Sequence, residues 1–144
     1  MKKVLALVMA LMMVVCTTSV AFATKKTEEI TPYSTGVIYE YQNDNLTDSS
    51  VREFKASMGG KLRLGFAGIP RDGKAGGNIT VILEVKNALG QYSELYRYTF
   101  SANKDMVVKT PGNRIYSGDS CRLIITKSGT NKAMIVAGYV GVYD

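Results

Sequence analysis

Apolar and polar residues alternate one by one along most of this chain, which is the period of a half-buried β-strand. Leu62, Leu64 and Phe66, for example, alternate with Arg63 and with small residues. The same period returns in the stretches 37–41, 79–85, 92–100 and 121–125. Segments rich in Gly, Asn, Asp, Ser or Pro separate the strands, at 43–50, 69–77, 88–91, 101–104, 110–119 and 128–131. The pattern predicts an all-β domain of about eight strands, folded as an antiparallel β-sandwich or jelly roll.

The last apolar segment, from Ala133 to Tyr143, differs because it is apolar on both faces. Val136 falls on one face, and Ile135 and Tyr139 fall on the other. A strand of this kind is central in its sheet, or its second face is covered by a partner. We therefore expect a central strand here, and the same segment is the candidate surface for a homo-oligomer.

A β-hairpin is predicted around Gly90, and its register decides whether two carboxylates meet. With a three-residue loop after Asn87, Glu84 faces Glu94, and such a pair is typical of glycosidases. With a four-residue loop, Asn87 pairs with Tyr92 and the apolar faces of the two strands stay together. The hydrophobic pattern favours the second register, with Gly90 in the left-handed conformation.

The first 23 residues have the organisation of a secretory signal peptide. Two lysines precede an apolar run over residues 4–15, which is too short to span a bilayer, and an A-x-A cleavage site ends at Ala23. We expect a lead-in over residues 24–32 and the β-sandwich over residues 33–144. No second run of about 20 apolar residues follows, so the sequence predicts a secreted, extracellular protein without a transmembrane segment.

Cleavage after Ala23 would also change the charge and the thiol content. It would remove two lysines and Cys16, which lowers the formal charge of +6 by two and leaves Cys121 as the only thiol. The remaining basic residues are spread along the chain, so nucleic-acid binding is not indicated. Cys121 is in phase with Leu123 and Ile125, and we expect it to be a small apolar residue of the core.

Several classes of chemistry are excluded or weakly supported by the residues present. The chain has no His and no Trp, which excludes His-based catalytic triads and His-ligated zinc. The segment from Gly68 to Ala75 has the spacing of a phosphate-binding loop, but Ala75 stands where a magnesium ion needs a hydroxyl ligand. No motif indicates a catalytic residue or a cofactor, and we expect a non-enzymatic protein.

Oxygen-bearing side chains cluster between Asn43 and Asp48. Calcium is bound by such oxygens, but the segment lacks the spacing, the Gly and the terminal Glu of an EF-hand, and Asn and Asp are ordinary turn residues. We expect a turn there without a bound metal.

Nine Tyr against four Phe is a skewed aromatic set. A Tyr ring has a flat apolar face and a polar edge, which suits stacking on sugar rings and also suits the border of a small core. The hairpin register places Tyr96 and Tyr98 on the buried face. Tyr33, Tyr92 and Tyr116 fall at strand ends or in loops, where a ring can be presented to a ligand. These three are the candidate ligand-binding residues.

One stretch, from about residue 50 to residue 128, carries a family resemblance. Its strand and turn patterns are Phe54-Lys55-Ala56 before Gly60-Lys61-Leu62-Arg63-Leu64, then Asn78 to Val85 with Asn87-Ala88-Leu89-Gly90, then Ser117 to Ile125. The arrangement resembles the small β-sandwich domains appended to secreted bacterial enzymes, of the pre-peptidase C-terminal type. The resemblance implies a β-sandwich with a binding or accessory role, and it brings no catalytic residues.

Two classes of function fit these observations. The first is a secreted binding module for an extracellular ligand, such as a cell-wall or other carbohydrate, bound through the exposed Tyr residues. The second is a self-associating structural or adhesion protein, which the doubly apolar terminal segment favours. A secreted inhibitor or toxin has the same features at this level.

Overall fold

The described part of the chain, residues 36–144 of a computed structural model, consists of nine strands joined by loops. The strands are β1 (Gly36–Leu46), β2 (Ser49–Lys55), β3 (Gly60–Pro70), β4 (Asn78–Lys86), β5 (Tyr92–Ser101), β6 (Asn103–Lys109), β7 (Arg114–Ile115), β8 (Ser120–Ser128) and β9 (Met134–Tyr143). Within these residues no helix is long and apolar enough to cross a membrane. The predicted signal peptide, the lead-in and Tyr33 lie outside the described residues.

The strands form two antiparallel sheets. The first sheet has the order β1-β9-β3-β6, with β7 also paired to β3, and the second has the order β2-β8-β4-β5. Most connections cross from one sheet to the other, and β4 and β5 form the hairpin between consecutive strands. Without the two-residue β7, these strand orders are those of an eight-stranded jelly roll with two Greek keys. The predicted fold class is confirmed, and β7 accounts for the ninth strand.

One apolar core lies between the two sheets. The inward positions Leu62, Leu64 and Phe66 of β3 are buried, and so are Val81 and Leu83 of β4. Most of their outward neighbours, such as Arg63 and Ile82, are more exposed, which is the alternation that the sequence pattern predicts.

The C-terminal strand β9 is central in the first sheet. It pairs with β1 on one side and with β3 on the other. Both backbone edges of β9 are therefore occupied, and the central position predicted from its doubly apolar pattern is confirmed. Its second apolar face forms the middle of the outer surface of the first sheet.

The hairpin between β4 and β5 combines the two registers. The register that the apolar pattern favours holds from the pair of Leu83 with Tyr96 to the end of the hairpin away from the loop. Next to the loop, however, Glu84 pairs with Glu94, and the predicted four-residue loop is wrong. The reason is a bulge that leaves Leu95 unpaired between the two parts of the ladder.

Local hydrogen bonds hold this hairpin end in place. The backbone N–H of Asn87 donates to the Gln91 carbonyl over 2.8 Å, which closes a three-residue loop. Gly90 has the left-handed conformation expected of it, with φ of 80°. The Leu95 carbonyl accepts a hydrogen bond of 3.1 Å from the Asn113 side-chain amide, so the bulge carbonyl is satisfied from a neighbouring loop.

Cys121 is a core residue, as predicted. Its side chain is fully buried, and its thiol donates a weak hydrogen bond to the Asp119 carbonyl at 3.7 Å. Burial, with a smaller contribution from the Asp119 carboxylate, raises the pKa of the Cys121 thiol to about 11. Little thiolate therefore exists at neutral pH, and the thiol is shielded from reagents.

We expect the native Cys121 thiol to resist labelling by a maleimide or disulfide reagent and to react after unfolding in denaturant. Cys121→Ser is expected to lower the free energy of unfolding by about 1 to 3 kcal/mol, because it buries a hydroxyl that needs a stronger hydrogen bond than the thiol did. Labelling rates with and without denaturant, and urea melts of the variant, measure both effects. Rapid labelling of the folded protein would contradict the core assignment.

Candidate functional site

The topology brings three loop segments to one end of the sandwich. Strands β2, β4 and β6 end there, and β3, β5 and β8 begin there. This end holds the loops 56–59 and 87–91 and the segment 110–119, which contains the two-residue β7. We call it the tyrosine end. Two of the predicted ligand-binding residues, Tyr92 and Tyr116, lie at the tyrosine end, so the fold brings both to the same end of the sandwich.

Tyr116 presents its ring to solvent, with 66% of the residue exposed. Its backbone is held in a tight turn, because its N–H donates to Asp119 Oδ2 over 2.9 Å and its carbonyl accepts from the Asp119 N–H over 3.1 Å. Gly118, with φ of 91°, completes the turn in a left-handed conformation.

The turn is also attached to the neighbouring loop. The Gly118 N–H donates to the Ala56 carbonyl over 2.8 Å, and the Ser117 hydroxyl donates to the Ser57 carbonyl over 3.3 Å. Tyr116 is thus an exposed aromatic ring on a backbone that is fixed at several points. Because the backbone is already fixed, ligand binding has to order only the side chain of Tyr116.

Tyr92 is half-buried at the start of β5 and belongs to a charged cluster. The guanidinium carbon of Arg122 lies 4.2 Å from its ring centroid, and Lys86 Nζ lies over the same ring at 5.2 Å. Partial desolvation, followed by the nearby Glu53 carboxylate, raises the pKa of Tyr92. Because cations already contact the ring, Tyr92 offers a ligand less free aromatic surface than Tyr116 does.

A row of charges crosses the outer face of the second sheet next to Tyr92. Register places Glu53, Arg122, Glu84 and Glu94 side by side on β2, β8, β4 and β5. Arg122 binds Glu84, with its Nε donating to Glu84 Oε2 over 2.6 Å. Glu94 instead accepts hydrogen bonds of 2.7 and 3.0 Å from Arg97. Each of the two facing carboxylates is therefore neutralised by its own arginine.

The pattern of the sequence did not indicate this charged row as a whole. Its members lie on four strands, and only the strand order shows that β8 separates β2 from β4. The available signal was the outward phase of Glu84 and Arg122 within their own strands. That phase predicts exposure but not which residue on another strand is the neighbour.

The comparisons with known proteins bear on the fold. No family model matches the chain, and no curated protein matches it either. Among solved structures, the Yersinia pseudotuberculosis-derived mitogen is similar with a TM-score of 0.51 at 13% identity, over 78% of this chain and 89% of that one. At such low identity the similarity is one of fold alone.

Two further solved structures are similar at lower scores. The pre-peptidase C-terminal domain of collagenase from Bacillus anthracis gives a TM-score of 0.43 at 13% identity, over 75% of this chain and 88% of that one. A xylan-binding domain gives a TM-score of 0.42 at 11% identity, over 78% of this chain and 97% of that one. The structures similar to this chain thus include the domain type that its strand and turn patterns resemble.

The segment from Asn43 to Asp48 lies at the opposite end from the tyrosine end, and most of it is not the predicted loop. Strand β1 continues to Leu46, which is buried in the core and holds the segment in the sheet. The side-chain oxygen of Asn45 accepts a hydrogen bond of 3.3 Å from Arg71. Within residues 36–144, no three carboxylate, Cys or His side chains gather into a group that would hold a metal ion.

Calcium is expected to leave the melting temperature unchanged. A cation that binds only the native state raises the melting temperature by mass action, but at this segment it would meet the guanidinium of Arg71. Thermal melts in millimolar calcium and in chelator measure the effect. A rise with calcium that the chelator reverses would contradict this expectation.

Proposed function

We propose that this protein is a secreted, non-enzymatic binding module that binds an extracellular carbohydrate at the tyrosine end. The observation that carries the proposal is the ring of Tyr116, which is largely exposed while its backbone is fixed by hydrogen bonds. An exposed aromatic ring on a fixed backbone suits stacking on the apolar face of a sugar ring, and its hydroxyl can contact the sugar's polar edge.

Other groups at the same end support a ligand-binding role. Leu89 is 84% exposed at the tip of the β4–β5 loop, and Met58 is exposed in the loop beside Tyr116. Exposed apolar side chains at a loop end are a common feature of binding surfaces. In this proposal Tyr116 makes the main stacking contact and Tyr92 borders the site. Tyr33 is retained as a candidate on sequence grounds alone.

Secretion is part of the same proposal. The basic, apolar and A-x-A segments that end at Ala23 have the organisation of a signal peptide. A fully buried Cys121 as the only thiol of the mature chain also suits an oxidising compartment, because burial protects it from oxidation.

A glycan array followed by substitutions at Tyr116 tests the proposal. Tyr116→Ala is expected to weaken binding of the glycan found by about 1 to 3 kcal/mol, with the melting temperature almost unchanged because the ring is exposed. Tyr116→Phe keeps the stacking face and should retain most of the affinity. Val51→Ala, an exposed apolar residue in the middle of β2, is the matched control and should bind like the wild type.

Two results would count against this function. If the wild type bound no glycan, the ligand class would be wrong. If it bound one and Tyr116→Ala, Tyr92→Ala and Tyr33→Ala all bound equally well, the site would be wrong. Isothermal titration with the same glycan separates these cases from a simple loss of fold, which the melts report.

A further inference from the structure

The part of the first sheet at the tyrosine end is basic. Strand β3 contains Lys61 and Arg63. Residues 106–118, which run from β6 through β7, contain Lys109 and Arg114. Neither stretch contains an Asp or a Glu, and β9, on the other side of β3, has no charged residue. The fold therefore gathers at one place basic residues that are scattered along the sequence.

Strand pairing brings three of these residues to one edge of β3. Because β9 occupies the other side of β3, β6 and β7 pair with the same side, with Lys109 opposite Leu64 and Arg114 opposite Lys61. Opposed residues of antiparallel strands have Cα atoms about 5.5 Å apart or less. We call Lys61, Lys109 and Arg114 the basic edge. Arg63 lies between them on β3, and because its Nε is buried it adds charge rather than a contact.

The basic edge adjoins the exposed ring of Tyr116. Arg114 and Tyr116 flank the buried Ile115, and both are exposed. Residues two apart in an extended chain lie about 6.6 Å from each other, so one ligand can contact both the guanidinium and the ring. The backbone is anchored just before Arg114, because the Leu62 N–H donates to the Asn113 carbonyl over 2.7 Å. The segment that carries both side chains is thus held to the sheet.

Among residues 36–144, no residue of the basic edge forms an ion pair. The two ion pairs there both lie on the second sheet. Lys61 Nζ is 5.8 Å from the centroid of the Tyr143 ring, and this contact leaves its charge in place. Two acidic residues lie at this end: Asp119, whose Oδ2 accepts the hydrogen bond from the Tyr116 N–H, and Asp144, which follows β9. The basic edge keeps its positive charge, and such a surface attracts anions.

The second sheet does not offer an anion the same surroundings at this end. Its charged row mixes three carboxylates with arginines, and Glu84 and Glu94 are already paired. Glu53, which has no ion pair within the described residues, lies on the same outer face as Lys55, two residues away. An anion near Tyr92 would be repelled by Glu53. The acidic group of a ligand is therefore favoured on the first-sheet side, next to Tyr116.

We propose that the carbohydrate bound at the tyrosine end is acidic, and that the basic edge binds its carboxylate or sulfate groups while a sugar ring stacks on Tyr116. This inference rests on the proposed function and adds the chemical class of the ligand. Arg114 can bind such a group through two parallel hydrogen bonds, and Lys61 and Lys109 act as point charges. An acidic group that repeats along a polysaccharide meets more than one of these cations at once.

Three polymers with one sugar backbone test the charge of the ligand: dextran, carboxymethyl-dextran and dextran sulfate. In isothermal titration at low salt, at least one charged polymer is expected to bind about tenfold or more tightly than dextran. The tighter of the two identifies the bound group as a carboxylate or a sulfate. Raising the ionic strength from about 0.05 M to about 0.5 M should weaken this binding, because exposed charges are screened by salt.

Two double variants with equal net charge show where the polymer binds. Lys109→Gln combined with Arg114→Gln is expected to weaken binding of the charged polymer about tenfold or more, because it removes two cations of the basic edge. Lys74→Gln combined with Lys132→Gln makes the same change of charge at the opposite end of the sandwich, and should bind within about twofold of the wild type. All four residues are exposed, so thermal melts should be unchanged.

Three results would overturn the proposal. Dextran could bind as tightly as both charged polymers, or neither charged polymer could bind. Equal weakening by the two double variants would show attraction to the charge of the whole protein and not to the basic edge. The glycan array separates such a failure from that of the proposed function. A neutral glycan bound through Tyr116 would leave the binding module intact with only its acidic ligand wrong, and an array without any bound glycan would reject both.

Discussion

Tyr98→Ala is expected to lower the free energy of unfolding by about 3 to 5 kcal/mol. The Tyr98 ring is 7% exposed and lies between Tyr96 and Phe100, with ring centroids 5.8 Å away on each side. Its backbone pairs with Val81 of β4, about half-way along the edge strand β5. Truncation would remove aromatic contacts on both sides and leave a cavity at the edge of the core. Urea unfolding followed by circular dichroism measures the loss.

Tyr98→Phe separates the ring from its hydroxyl. Within the described residues the Tyr98 hydroxyl is buried without a hydrogen-bond partner, and its burial raises its pKa far above the usual range. Loss of that hydroxyl should therefore be neutral or slightly stabilising. Tyr96→Ala should cost less than Tyr98→Ala, because Tyr96 is only half-buried. If Tyr98→Phe were as damaging as Tyr98→Ala, the hydroxyl would have an essential partner and the ring would not explain the effect.

The strands of this fold were predictable because their period is set by burial on one face. Leu83 and Val81 meet Tyr96 and Tyr98 in the structure, as the apolar phase requires. The end of that hairpin was not predictable in the same way. A bulge at Leu95 changes the phase inside a strand, and the hydrogen bond from Asn113 that supports it comes from a distant part of the chain.

The candidate site, too, was predictable from the sequence only in part. The exposure of Tyr116 follows from its position in a turn next to Gly118, which local sequence reveals. The contact of Tyr92 with Arg122 depends on β8 lying next to β4, and pattern along one strand does not give the strand order.

Gly138→Ala is expected to be among the most damaging single changes in the protein. Gly138 lies inside the first sheet, paired with Tyr41 on β1 and with Phe66 on β3. The rings of Tyr41 and Phe66 come together at this place, with centroids 6.1 Å apart at 55°. A Cβ atom at Gly138 would overlap both the Phe66 ring and the Gly65 carbonyl oxygen. A glycine inside an apolar strand often marks such a close approach.

Gly138→Ala is expected to lower the free energy of unfolding by about 3 kcal/mol or more, because the backbone must move as well as a side chain. Gly73→Ala is the matched control: Gly73 has φ of 72°, and nothing lies within 4 Å of the position that its Cβ would take. In that variant the free energy of unfolding should fall only by the conformational cost of a left-handed alanine, about 1 to 2 kcal/mol. Urea melts of the two variants compare a steric cost with a conformational one. Equal losses would mean that the sheet can widen at Gly138, and the close packing of Tyr41 and Phe66 over it would not be required for folding.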